Sequence, residues 1–67
     1  MMYISFEEWD PKTQSEMAAW VLANAKEFKF AWREYYHPRA SGGVGDDLIG
    51  ANMDEESAMF FILKFGL

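Results

Sequence analysis

One stretch constrains this chain more than any other: Asp10 to Phe28, DPKTQSEMAAWVLANAKEF, where apolar residues recur at helical spacing. Asp10 can cap the N-terminus, and Pro11 suits the first helical position, where its missing N–H costs nothing. Ala, Met, Leu, Glu and Lys, all good helix formers, dominate the rest of the stretch. Met17, Trp20, Val21, Asn24 and Phe28 fall on one face, and Ala18, Leu22 and Ala25 widen the stripe. Lys12, Glu16, Lys26 and Glu27 keep to the opposite side. A helix with one broad apolar face needs a sheet or a second helix to cover it.

At 67 residues the whole chain, 1–67, is expected to be a single domain. A domain of this size buries only about 60% of the surface its unfolded chain exposes, so it usually needs a staple or a partner. With no cysteine, disulfides and thiolate metal sites are excluded. Aromatic residues at 18% are the compensation, since each buries a large area, and self-association or a bound partner can supply the rest. The net charge of −5 argues against a direct grip on a nucleic-acid backbone, which wants clustered Lys and Arg. It suits solubility alone, or engagement of a basic surface on a partner. The opening MMYISFEEWD lacks the basic residues and apolar run of a signal peptide, and no stretch approaches the length of a membrane span. A cytoplasmic protein, in a cell or an infected host, is the expectation.

Before the helix, Met2-Tyr3-Ile4-Ser5-Phe6 alternates as a short strand, with Met2, Ile4 and Phe6 on one side. Trp9 precedes the cap and can staple onto the first turns. After the helix, Phe28 to His37 alternates again: Phe28, Phe30 and Trp32 toward a core, Lys29 and Arg33 outward. A helix joining two strands implies a right-handed crossover between parallel strands. Pro38 ends the second strand, and residues 38–47, PRASGGVGDD, read as a glycine-rich loop. Leu48 to Met53 returns as a short antiparallel strand, where Gly50 points to a bulge or to close approach by another group.

The closing segment Asp54 to Leu67 carries helix signals at both ends. Asn52 or Asp54 can cap, Glu55 and Glu56 sit at the positive end of the dipole, Lys64 lies near the negative end, and Gly66 can terminate. Ala58, Phe61, Ile62 and Phe65 share a face, leaving Met59, Phe60 and Leu63 outside it. A helix is preferred over the competing strand from Phe60 to Phe65. The expected fold is therefore α+β in the order β-α-β-β-α, a three-stranded mixed sheet with two helices packed on it.

No motif brings a catalytic constellation. SGGVG lacks the Lys and Ser or Thr of a phosphate loop, with Asp46 and Asp47 standing instead where they would repel phosphate. Glu7, Glu8, Asp10, Asp46 and Asp47 can converge at one end of the sheet, but the spacing of a Ca²⁺ loop is absent, and a solvated acidic end is preferred over a metal site. His37 is the sole histidine, and nothing in the spacing sets Ser5, Ser15, Ser41 or Ser57 against it with Glu34 as orienting acid. Neither an enzyme nor a cofactor is expected. Arg33, Tyr35, Tyr36 and Arg39 gather aromatic rings and guanidinium groups of the kind that anchor interfaces. Arg33, Tyr35, Tyr36, Asp46 and Asp47 are thus the candidate partner contacts, and Met59, Phe60 and Leu63 a second patch suited to self-association.

The run MDEESAMFFILKFG resembles the C-terminal element of small uncharacterised bacteriophage proteins, in which a strand is followed by acids, an Ala-Met or Ala-Val pair, and an alternating Phe-x-Leu-x-aromatic-Gly. Asp54, Glu55, Ala58, Met59, Phe61, Leu63, Phe65 and Gly66 match; Ile62 departs, standing where a polar or basic residue is common. The resemblance covers about a quarter of the chain by motif and implies a phage origin. Small acidic phage proteins without catalytic residues often block a host enzyme or defence complex, a CRISPR or other nuclease complex or a polymerase among them. The resulting expectation is a non-enzymatic binding inhibitor of a host protein. The alternatives are a structural or assembly module acting as a homo-oligomer, here a homodimer, or as a subunit, and, third, an acidic mimic of nucleic acid.

Overall fold

A computed structural model describes the backbone of residues 1–37 and 43–67, and the side chains of 1–34 and 47–67. Five elements occur in the expected order: β1 (Met2–Ser5), α1 (Pro11–Asn24), β2 (Phe28–His37), β3 (Gly43–Met53) and α2 (Glu55–Phe65). The fold is α+β, two helices on one face of a three-stranded sheet.

The strand order is β1-β3-β2, and both ladders are antiparallel. The mixed sheet expected from the sequence is therefore corrected. β1 and β2 do run in the same direction, as a helical crossover between them requires, but β3 inserts between them and pairs with each. Its residues suit the central place. Gly50, Ala51 and Met53 are all buried, and such small or apolar side chains allow neighbours on both edges and a helix layer on one face. Leu48 to Met53 is a strand antiparallel to β2 as expected, yet the strand begins earlier, at Gly43. Residues 43–47, read from sequence as loop, belong to the ladder with β2, and the remainder of that loop, 38–42, lies outside the described residues.

Gly50 shows both features anticipated for it. The register slips between Ala31 and Trp32, which pair with Gly50 and Leu48, leaving Ile49 as an extra residue in β3. The bulge turns Leu48 toward the core, where strict alternation from Ala51 would have sent it to solvent. The Ile49 carbonyl accepts the Phe6 N–H at 2.8 Å and the Tyr3 hydroxyl at 3.3 Å. The Tyr3 ring in turn covers Gly50 on the open face of the sheet: a Cβ at residue 50 would meet the Tyr3 hydroxyl at 2.6 Å, and the Ile4 carbonyl oxygen closer still.

Helix α1 is shorter than its sequence pattern, ending at Asn24. Phe28, which helical spacing places on its apolar face, opens β2 instead, and Lys26 and Glu27 lie in the connection. Met17 and Val21 are buried and Trp20 half-buried, while Leu22 is exposed, so the buried stripe is narrower than expected. Asp10 occupies the cap position without a side-chain bond to the helix backbone; its carboxylate accepts the Thr13 hydroxyl. Gln14 ties the preceding turn down, its amide donating to the Phe6 and Trp9 carbonyls, each at 2.9 Å. Trp9 then packs half-buried against the core.

The closing segment is a helix, which removes the competing strand. Asp54 caps it, accepting the Ser57 N–H at 3.1 Å, and Gly66, at φ 72°, ends it in the left-handed conformation. The cap also ties α2 to the start of β2. The other Asp54 carboxylate oxygen accepts the Glu27 N–H, the Asp54 N–H donates to the Glu27 carbonyl, and the buried Ser57 hydroxyl accepts the Lys26 N–H, each at 3.1 Å.

The core joins Ile4, Ala51 and Met53 of the sheet, Phe6 just beyond β1, Met17 and Val21 of α1, and Ala58 and Phe61 of α2. Phe61 is its centre. Its ring stacks on Phe6 at 5.7 Å, meets the edge of Trp20 at 5.5 Å and tilts against Phe65 at 4.7 Å.

Candidate functional site

β1 pairs with β3 only over Gly50 to Met53, whereas β2 continues opposite β3 as far as His37 and Gly43. Beyond the bulge the sheet is therefore a two-stranded arm. The register along it pairs Trp32 with Leu48, Arg33 with Asp47, Glu34 with Asp46, Tyr35 with Gly45 and Tyr36 with Val44. All five candidate contact residues, Arg33, Tyr35, Tyr36, Asp46 and Asp47, thus fall on this one ladder, although the sequence had placed the two acids in a loop. The side chains of Tyr35, Tyr36, His37 and Asp46 lie outside the described set, as does Arg39 altogether.

The described side chains at the root of the arm are open to solvent. Arg33, Glu34 and Asp47 are exposed, and Trp32 is 57% exposed. Trp32 was expected in the core. The helix layer does not reach it, and its ring instead continues an edge-to-face row from Phe28 through Phe30, with centroids 5.3 and 6.4 Å apart. Phe30 is half-buried, and Phe28, also expected inside, lies at the rim with 36% exposure. Trp32 is the interface candidate that alternation missed, since alternation assigns a face but not the length of the layer covering it.

Arg33 makes an ion pair with Glu7, which follows β1. Both side chains remain largely in water, so the pair is worth less than about 1 kcal/mol and serves chiefly to orient the guanidinium. Glu7 is thereby drawn toward Arg33, and Asp10 is engaged by Thr13. Among the described residues no three acids or histidines are grouped so as to hold a metal ion. The glycines of SGGVG that the structure describes, Gly43 and Gly45, lie within β3 rather than at a helix N-terminus, so they cannot present the cradle of backbone donors that phosphate binding uses.

The second patch lies on α2 rather than on the arm. Met59, Phe60 and Leu63 project from the outer face of α2 with 64, 57 and 77% of their surface exposed. Beside them a groove of about 460 Å³ runs between the helices, lined by Trp20, Asn24, Phe60, Leu63 and Lys64. Among the described residues no helix is long and apolar enough to cross a membrane. Comparison with protein-family models, curated proteins and solved structures matches none of them to this chain.

Proposed function

We propose that the protein is a non-enzymatic binding module that inhibits or modulates another protein through its β2–β3 arm. The observation that supports this most is the register of the arm. It places Arg33, Tyr35, Tyr36 and the exposed Trp32 on one ladder with Asp46 and Asp47, and it pairs Glu34 with Asp46. Like charges at opposed positions weaken a ladder, so this pairing carries a local cost. A segment that keeps such a cost is better suited to contact than to stability. Aromatic and guanidinium groups flanked by acids match a protein surface with a basic rim.

The resemblance of the C-terminal element to that of small phage proteins makes a host protein the proposed target, and the host cytoplasm the proposed place of action. Tagged wild-type chain and a Tyr36→Ala, Asp46→Lys double variant, both incubated with bacterial lysate and washed at low and high salt, test the assignment. A stoichiometric partner retained by the wild type, weakened by salt and lost by the variant is the expected result. Equal capture by both chains would remove the arm from the site.

A further inference from the structure

We propose that the outer face of α2 seats a second copy of this chain, helix against helix in antiparallel orientation about a two-fold axis through Phe60. This surface is separate from the arm, so each could fail its test without the other.

Three large apolar side chains, Met59, Phe60 and Leu63, lie exposed together on one helix. Exposed contiguous side chains of this kind mark contacts more often than isolated ones do. The charges bracketing the strip select its occupant. Glu56 lies four residues before Phe60 and Lys64 four residues after it, both exposed. A two-fold contact centred on Phe60 sets the Glu56 end of each copy against Lys64 of the other, so the surface complements itself. Glu55 adds a second acid at the same end, and neither it nor Lys64 takes part in an ion pair among the described residues. Glu56 does meet Lys26 at 3.1 Å, but both side chains are more than half exposed and Glu56 has a second carboxylate oxygen to offer. Parallel docking would oppose like charges and align the helix dipoles, whereas antiparallel docking relieves both. The same arrangement brings Phe60 of each copy to the mouth of the groove beside Trp20 and Asn24 of the other.

Sedimentation equilibrium between micromolar and millimolar concentration tests the contact. The wild type is expected to approach twice its 7.8 kDa monomer mass. Leu63→Glu, at a side chain 77% exposed, is expected to stay at the monomer mass with an unchanged circular dichroism spectrum. Because the chain has no cysteine, orientation can be read by oxidation of introduced ones. Phe60→Cys alone should cross-link to itself, and Glu56→Cys mixed with Lys64→Cys should give the mixed disulfide in excess over either self-pair. A wild type that remains monomeric at millimolar concentration overturns the proposal. So does a dimer unaffected by Leu63→Glu, or an excess of self-pairs at Glu56 and Lys64, which would mean a different surface or a parallel contact.

Discussion

β2 and β3 run through two environments, and the contrast between them organises the molecule. From Phe28 to Ala31, β2 lies opposite Met53 to Gly50, with β1 on the far edge of β3 and two helices over one face. Buried side chains there come from every element except β2, which contributes the half-buried Phe30. Past the bulge at Ile49 the same strands have no third strand beside them among the described residues, and every side chain described on β2 from Trp32 to Glu34 is exposed. One half of the hairpin is held by what packs on it, the other by its ladder, by Leu48 at its root and by the exposed Arg33–Glu7 pair. Stability is thus concentrated at the end that carries the helices, and the freedom to display polar and aromatic groups at the other.

Substitutions at the covered end should break this contrast most severely. Phe61→Ala removes the ring shared by Phe6, Trp20 and Phe65 and should cost about 3–5 kcal/mol, much of the stability a domain this small can hold. Urea denaturation would show the variant largely unfolded in water; a loss under about 1 kcal/mol would move the centre of the core elsewhere. Gly50→Ala forces a methyl group against the Ile4 carbonyl and the Tyr3 ring, with an expected loss of about 1–3 kcal/mol in the same assay. An unchanged midpoint would show that β1 can shift to make room.

The cap that ties α2 to β2 should reveal itself through pH. Hydrogen bonds from Ser57, then from the Glu27 backbone, lower the Asp54 pKa from 3.8 to about 2. A carboxylate that is more acidic in the folded chain adds stability above its unfolded pKa, and that stability fades as pH falls from 3.8 toward 2. The stability gap between wild type and Asp54→Asn should therefore be widest near neutral pH and narrow across this window. A gap that stays constant would mean the charge of Asp54 is irrelevant to the cap. At the arm, by contrast, Arg33→Glu should change the unfolding free energy by less than about 1 kcal/mol, because the ion pair it breaks is exposed, while target capture falls. A large loss of stability there would erase the distinction between the two ends.

The elements with strong local signals were legible in the sequence. Asp54 and Gly66 bracket α2, Pro11 opens α1, and Gly50 announced both its bulge and its close neighbour. Strand order was not legible, because inserting β3 between β1 and β2 depends on pairings far apart in sequence, such as Met2 with Met53. Nor was the length of β3. Gly43 and Gly45 resemble loop residues, yet an antiparallel partner supplies hydrogen bonds that local propensity cannot anticipate. The candidate contacts were recognised by residue type, but their assembly on one ladder came from the register, and the exposure of Trp32 from the reach of the helix layer.

Shortening the arm tests the division most directly. Replacing residues 34–46 by Asn-Gly closes a two-residue turn between Arg33 and Asp47, which already face each other in the ladder. Thermal unfolding of this chain, followed by near-ultraviolet circular dichroism, should remain cooperative with a midpoint within a few degrees of the wild type. A chain that loses its cooperative transition would show that the arm belongs to the folding unit, contradicting its proposed role as a displayed binding element.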